Sequence, residues 1–325
     1  MPMMSGLFIY LADVMQPKYP VYDARPYYIY FGVSLPVTLF LFFSMSLPFM
    51  ISGPAVYLLQ TIFYPFANLT RSLALILNLD RGYESGVGLV VAMCVGLAPS
   101  MVAEAVSTAK FSGIQYGLTR FLRDLVEVRK TGMSPEKCII SLRSRDYGRF
   151  TSYLRDIARQ VGWGVPLGEI FQRFARGMKN WFALISMYLL VESIEVGGGM
   201  PETLEALASY AETLEHVEKE KRATLRPLLL MPYVGSLIIT IIVIVIVGFM
   251  GSMMRFAGSP ISEAQLINTF MPPVILNSYL MGLAAGKLSS ERTAAGFKHA
   301  FLLTLSNLVA MVIGPLIVRG LMPRL

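Results

Sequence analysis

Residues 191–212, VESIEVGGGMPETLEALASYAE, form the stretch most suggestive of chemistry, because three consecutive glycines could make a loop that binds phosphate. A loop of that kind follows a strand and offers a basic side chain or free backbone N–H groups. Here a helical pattern precedes Gly197, Gly198 and Gly199. The charged residues around these glycines are all acidic: Glu192, Glu195, Glu202 and Glu205. These carboxylates would repel an anion, so we interpret the glycines as a corner between two helices.

A second glycine pattern, GLAAGKLSS from Gly282, also falls short of a phosphate loop. It has too few residues between its glycines, and Leu288 follows Lys287 where a serine or threonine is needed. The spacing of Gly282 and Gly286 instead suits close packing of two helices in lipid. Chance occurrence in a glycine-rich span is the alternative.

Side chains that could act as catalysts or metal ligands are few. His216 and His299 are the only histidines, and they fall in a charged helix and at the start of an apolar stretch, so they form no ligand cluster. No nucleophile and base stand out as a pair. Glu104 is either an interfacial residue or a proton relay. The sequence therefore predicts a protein that is not an enzyme and needs no metal or other cofactor.

The composition is typical of a membrane protein, with 54% hydrophobic residues, 15% charged residues and a mean hydropathy of +0.57. Since a spanning helix needs about 20 apolar residues, five stretches qualify: 28–48, 86–105, 232–250, 265–284 and 300–318. A sixth, 55–69, is short and contains Pro65 and Asn68. It is either a marginal span or a helix at the membrane surface.

The block between Lys110 and Arg226 carries most of the charge and must face water. Leu118, Phe121, Leu122 and Leu125 recur at helical spacing, and no strand-like alternation of useful length appears. The uncharged segment 180–191 reads as a core helix that is apolar on all sides. We expect this block to fold as an all-helical domain.

The distribution of basic residues indicates on which side of the membrane this block lies. The loop 287–298 contains three cations, whereas the loop 251–263 contains only Arg255. The positive-inside rule then places the central block in the cytoplasm of a multi-pass cell membrane protein.

The fold class is thus an all-α membrane protein whose transmembrane helices flank a cytoplasmic helical domain. The predicted regions are an N-terminal tail (1–26), two or three spans (27–106), the cytoplasmic domain (107–227), three further spans (228–319) and a short tail (320–325).

Three helix starts in the central domain share one form. Each has a glycine able to adopt a positive φ, then a proline near the first helical turn and a glutamate where the helix dipole favours it. The corners are predicted at Gly132, at Gly164 and at 197–199, and the glutamates are Glu136, Glu169 and Glu202.

Charge is segregated along the central domain, and we expect the separated charges to dock a soluble partner. The basic strip comprises Arg120, Arg123, Arg129, Lys130, Arg143, Arg145 and Arg149. The glutamate strip comprises Glu202, Glu205, Glu212 and Glu215, on one side of a single long helix. Ordinary ion pairs within the domain are the alternative. Lys219, Lys221, Arg222 and Arg226 follow just before an apolar stretch, where anionic lipid would attract them.

Four phrases in order resemble the type II secretion F-domain family, in particular the archaellum and archaeal type IV pilus (Tad-like) assembly platform proteins. They are FLRDLVEVRKTGMSPEKCI (121–139), WGVPLGEIFQRFA (163–175), EVGGGMPETLEAL (195–207) and GLAAGKLSSERTAAGFKHAFLL (282–303). The resemblance covers roughly residues 110–305. One departure is that the archaellum protein usually carries two such domains, whereas this chain has one.

The resemblance implies a non-enzymatic membrane platform for protein secretion or motility in archaea, with an antiparallel six-helix bundle in the cytoplasm. Its implied partners are a hexameric secretion ATPase that does the mechanical work, pilin or archaellin subunits, membrane lipid, and either a second copy of the chain or a sister F-domain subunit. A membrane transporter or channel is the alternative function, and an intramembrane enzyme is a third. No nucleic acid is expected, because Tyr147, Phe150 and Tyr153 fit the core face of a helix.

Overall fold

The computed structural model describes residues 23–51, 59–111, 113–256, 262–290 and 292–321, together with the single positions 6, 10 and 14. These residues form helices and their connections, with no strand among them, so the predicted all-α fold is confirmed. Most of the predicted N-terminal tail, the start of the short apolar segment (55–58), the loop 257–261 and the last four residues of the C-terminal tail lie outside the described residues.

The helices are numbered along the chain. They are α1 (Arg25–Ile29), α2 (Leu35–Leu41), α3 (Leu47–Met50), α4 (Tyr64–Ile76), α5 (Glu84–Phe111), α6 (Ile114–Lys130), α7 (Pro135–Leu142), α8 (Thr151–Gly162), α9 (Leu167–Gly177), α10 (Trp181–Glu195), α11 (Pro201–Leu225), α12 (Leu230–Phe256), α13 (Glu263–Ser290) and α14 (Gly296–Leu321). Two five-residue π-helical turns, Tyr30–Ser34 and Phe42–Ser46, join α1 to α2 and α2 to α3.

The chain divides into two compact units. The first, here called the membrane unit, consists mainly of Ala24–Ala105 and Leu225–Leu325. The second, here called the polar unit, consists mainly of Val106–Thr224.

Five helical stretches among the described residues are long and apolar enough to cross a membrane. They are Arg25–Met50, Glu84–Lys130, Pro201–Met254, Glu263–Ser290 and Thr293–Pro315. Helix α4 has 13 residues, fewer than the roughly 20 that a span requires. The chain is therefore a multi-pass membrane protein.

Hydrogen bonds between buried side chains connect the three C-terminal helices. Ser236 on α12 donates to Ser278 on α13 at 2.6 Å, and Thr240 on α12 donates to Asn307 on α14 at 2.7 Å. Ser278 also lies 3.2 Å from the Asn307 side-chain oxygen. Because a lipid environment offers these groups no water, such pairs hold helices in one register, at about 0.5–2 kcal/mol each.

Glycines bring α13 and α14 into backbone contact. A Cβ added to Gly282 would lie 2.2 Å from the Cα of Ala300, and one added to Gly286 would lie 2.0 Å from the Cα of Gly296. No side chain fits between these backbones. The three glycines therefore set the distance between the two helices, which is the type of contact that small residues permit in membranes.

Replacing Gly286 by alanine should destabilise the protein by about 1–3 kcal/mol, because the new methyl group overpacks a contact that cannot widen locally. Gly235 on α12 is the matched control, since a Cβ there meets nothing within 4 Å. Alanine at this position should leave stability unchanged or raise it by roughly 0.5–1 kcal/mol. Thermal unfolding of both variants in the same detergent measures the difference, and equal midpoints would show that the contact is not rigid.

Candidate docking surface on the polar unit

The polar unit is built from amphipathic helices that share one hydrophobic core. Along α6 the residues Leu118, Phe121, Leu122 and Leu125 are buried, as their helical spacing predicts. Each of α6 to α10 packs against the next helix, and α10 returns to α6. Apolar side chains of α11, including Leu204 and Ala211, complete the core.

Helix α10 differs from its prediction as a core helix apolar on all sides. Phe182, Met187 and Leu190 are buried, but Tyr188 is 46% exposed and Leu189 only half-buried. A uniformly apolar helix carries no periodicity to show which side faces outward. The exposed side of α10 is therefore a feature that the sequence did not indicate.

The corners between the helices contain glycines in the left-handed region. Gly132, Gly164, Gly198 and Gly199 have φ values of +89°, +78°, +60° and +62°, whereas Gly197 is not among the positive-φ residues. Gly199 is also buried against α7, because a Cβ there would lie 2.5 Å from Cγ of Pro135. The triple-glycine stretch is thus a helix corner packed on the start of another helix.

Arg129 connects two of these corners. Its Nε donates to the carbonyl oxygen of Gly199 at 2.8 Å, and its Nη1 donates to the carbonyl oxygen of Met133 at 2.8 Å. The side chain is half-buried. Although it was included in the basic strip as a docking residue, its guanidinium is occupied by contacts within the polar unit.

The part of the basic strip that lies on α6 meets the glutamate strip on α11 at two ion pairs. Arg123 forms an ion pair with Glu212 at 2.5 Å, and Lys130 forms one with Glu205 at 3.3 Å. These pairs are exposed to solvent, so each contributes under about 1 kcal/mol to stability. These four residues therefore form ordinary ion pairs within the domain, which was the alternative to a docking role.

The remaining arginines of the basic strip lie mainly in the loop between α7 and α8. Arg143, Arg145 and Arg149 are all exposed there. Arg145 donates to Asp124 at 2.7 Å, whereas Arg143 forms no ion pair with any residue that the structure describes. We call residues 143–149 the arginine loop. Arg120 lies on α6, with its guanidinium 5.7 Å from the Tyr116 ring centroid.

Tyr147 anchors the arginine loop to α6. Its ring is 2% exposed, and its hydroxyl donates to Asp124 at 2.8 Å. Burial raises the pKa of this phenol well above its ordinary value, so it remains protonated and keeps donating. Asp124 therefore fixes both Tyr147 and Arg145, and the loop holds its arginines on a rigid support.

Gly117 is a positioning residue that the sequence analysis missed. A Cβ at this position of α6 would lie 2.0 Å from the carbonyl oxygen of Tyr147. Only glycine lets the backbone of the arginine loop cross the helix so closely. The available signal was a lone glycine inside an otherwise amphipathic helical pattern.

The glutamates of the second strip lie on α11, a helix of 25 residues. Glu205 and Glu212 are paired as described, Glu202 is exposed in the first turn, and Glu215 is half-buried. In the part of the chain that the structure describes, no group of three or more His, Cys, Asp or Glu side chains could hold a metal ion.

Comparison with known proteins identifies the polar unit. Residues 121–248 match the family described as type II secretion system (T2SS), protein F. This segment is a type II secretion F domain. It extends from α6 through the polar unit and into α12, so the match includes the first apolar helix after the unit.

A relative of the chain occurs in Methanocaldococcus jannaschii. That uncharacterized protein is 23% identical over 184 residues, which are 56% of this chain and 31% of the relative. The chain thus matches about a third of the relative's length. No solved structure matches the chain.

Arg129 and its neighbour Lys130 offer a test of which strip residues support the F domain. Arg129→Gln should lower the free energy of unfolding by about 1–3 kcal/mol, because two carbonyl groups lose a charged donor. Lys130→Gln should cost under about 1 kcal/mol, because its ion pair is exposed. Denaturant unfolding of the full chain in detergent, followed by the helical signal, checks the order. A larger loss at Lys130 would contradict the internal role of Arg129.

Asp146 should make the arginine loop sensitive to acid. The amide of Gly148 and the hydroxyl of Thr151 donate to this carboxylate, and these bonds lower its pKa from the ordinary 3.8. A lowered folded pKa stabilises the protein above the ordinary value, and that stability is lost as the pH falls through the folded pKa. Asp146→Asn should therefore reduce the thermal midpoint at neutral pH. The difference in midpoint between the wild type and this variant should close as the pH falls below 3.8. A gap that stays constant with pH would show that the charge is not involved.

Proposed function

We propose that this chain is a non-enzymatic membrane platform for assembly of a filament of the archaellum or archaeal type IV pilus type. The observation that carries the proposal is the match over residues 121–248, which covers both the helices of the polar unit and the apolar helix α12. One chain thus combines a type II secretion F domain with five candidate spans. This combination suits a protein that connects a soluble machine to subunits in the membrane.

In this proposal a hexameric secretion ATPase docks on the polar unit from the cytoplasm. The arginine loop is the preferred contact, because Tyr147 and Asp124 hold it in place while Arg143 and Arg149 remain exposed. Exposed charge on a rigid support steers a partner and fixes its orientation. Arg123 and Lys130 contribute less, since their charges are already paired with glutamates.

The remaining partners follow from the same proposal. Pilin or archaellin subunits contact the spans, and nucleotide turnover in the ATPase supplies the work. A second copy of the chain or a sister subunit provides a second F domain. Lys287, Arg292 and Lys298 support a cytoplasmic position for the short loop that contains them, and therefore for the polar unit.

A membrane transporter or channel remains the second candidate. It is favoured by the polar side chains inside the spans, Ser236, Thr240, Ser278 and Asn307. Their oxygens are hydrogen-bonded to one another, and the Asn307 amide donates to the Leu303 carbonyl. Helix packing accounts for this cluster without a substrate. Solute flux through the purified chain in liposomes, with no partner present, would favour the transporter.

Charge reversal on the arginine loop tests the platform. Arg143→Glu combined with Arg149→Glu should weaken binding of the cognate secretion ATPase to the full chain in nanodiscs by about tenfold or more at low salt. The matched control is Arg176→Glu with Lys179→Glu, two exposed cations in the last turn of α9 and just after it. This control changes the net charge equally and should bind within about twofold of the wild type.

Three results would count against the proposal. They are no ATPase binding to the wild type, equal weakening by both double variants, and nucleotide hydrolysis by the purified chain alone. The first would show that the ATPase is not a partner. The second would show that binding depends on net charge and not on the arginine loop. The third would show that the chain is an enzyme.

A further inference from the structure

The polar unit has a second surface that its proposed contact with an ATPase does not use. An open groove of about 430 Å³ lies between the C-terminal half of α10 and the N-terminal half of α11. Its apolar lining comes from Leu189 and Val196 on one side and from Leu207 and Tyr210 on the other. The volume falls in the range of binding pockets, about 300–1,000 Å³.

Apolar side chains are exposed in and around this groove. Of the residues that line it, Val196 is 78% exposed and Tyr210 46%. The same unit buries aromatic side chains such as Phe121 and Phe150 almost completely. A cluster of exposed apolar residues on an otherwise charged surface marks an interaction site.

The segment that forms the groove carries charge of one sign. Residues 180–218 contain no Lys or Arg, and their charged residues are Glu192, Glu195, Glu202, Glu205, Glu212, Glu215 and Glu218. Glu205 and Glu212 are neutralised by α6, and Glu195 accepts a hydrogen bond from the Gly168 amide. Glu192 lines the groove and forms no ion pair with a described residue.

The backbone adds to this negative potential. Helix α10 ends at Glu195, and Val196 and Gly197 line the groove immediately after it. The C-terminal end of a helix carries a partial negative charge, which stabilises a cation placed beside it. The groove therefore combines an apolar floor with an anionic edge.

From these observations we infer that the groove between α10 and α11 binds an amphipathic helix of another protein, with an apolar stripe and a basic border. Helices of this type bind apolar grooves through side chains spaced three and four residues apart. Lysines or arginines on the border would face Glu192 and the end of α10. The inference goes beyond the proposed function, because it does not depend on which partner supplies the helix.

Charge disfavours two other occupants. A second copy of the chain bound through the same groove would bring the same patch from both partners together, as a two-fold contact requires. Glu192 would then face another anionic edge, and like charges across an interface cost free energy. An anionic membrane surface is disfavoured for the same reason. A basic helix has the complementary charge.

A designed peptide tests the groove directly. The probe is a helical peptide of about 18 residues, long enough to fold in part alone, with leucines along one stripe and lysines on its borders. A second peptide has the same leucines and glutamates in place of the lysines. Fluorescence anisotropy measures the binding of each peptide to the full chain in nanodiscs of zwitterionic lipid, which does not retain cations electrostatically.

The lysine peptide should bind the wild type, and the glutamate peptide should bind at least about tenfold more weakly. Val196→Ser combined with Tyr210→Ser should weaken the lysine peptide about tenfold, because two exposed anchors of the groove are removed. Glu192→Gln should weaken binding of the lysine peptide and should not weaken binding of the glutamate peptide. The matched control is Trp163→Ser, since Trp163 is 73% exposed and lies outside the groove lining.

Several outcomes would overturn the inference. They are no binding of the lysine peptide, equal binding of the two peptides, and an equal effect of the groove and Trp163 variants. Loss of a wild-type dimer in the groove variant, seen by mass photometry, would assign the groove to a second copy instead. Each groove variant replaces exposed side chains, and an unchanged thermal midpoint verifies that it folds.

The two proposals fail separately. Peptide binding that is lost in the groove variant supports the groove even where the secretion ATPase does not bind the chain. An absence of peptide binding overturns the groove even where the arginine-loop variant shows that the ATPase does bind.

Discussion

The polar unit depends on the burial of apolar faces that no single helix could bury alone. Helix α8 has 12 residues and α7 only 8, lengths at which an isolated helix is marginal in water. Leu118, Leu142 and Leu154 are each at most 1% exposed, so these short helices are held by one another. Because the core fixes how the helices are rotated, it also decides which charges meet across them and which remain exposed.

The two units solve the problem of close packing by different means. In the membrane unit apolar side chains gain nothing by leaving lipid, so Gly282, Gly286 and the bonded serine, threonine and asparagine residues specify contacts. In the polar unit the hydrophobic effect supplies the attraction, and Gly117 and Gly199 only remove side chains where backbones must cross. Glycine thus sets distance in both units, but it contributes specificity mainly in the first.

The elements could be predicted from sequence where a pattern repeats locally. The spacing of Leu118, Phe121 and Leu125 is sufficient to place a buried face on α6, and glycine followed by proline is sufficient to indicate a corner. The contact between Arg123 and Glu212 could not be predicted, since it depends on how α6 and α11 are rotated in the common core. The exposed side of α10 could not be predicted either, because a helix that is apolar on all sides has no periodicity to show which side faces outward.

Ion pairing within the polar unit changes what its surface offers to partners. Glu205 and Glu212 pair with Lys130 and Arg123, so these charges of the two strips offset one another where α6 and α11 meet. Arg143 and Arg149 remain exposed in the arginine loop, and the groove between α10 and α11 keeps Glu192 and its apolar lining. A partner whose charge complements one of these surfaces does not complement the other. Segregation of charge along the chain thus gives the polar unit two surfaces of different character, while its exposed ion pairs add little to stability.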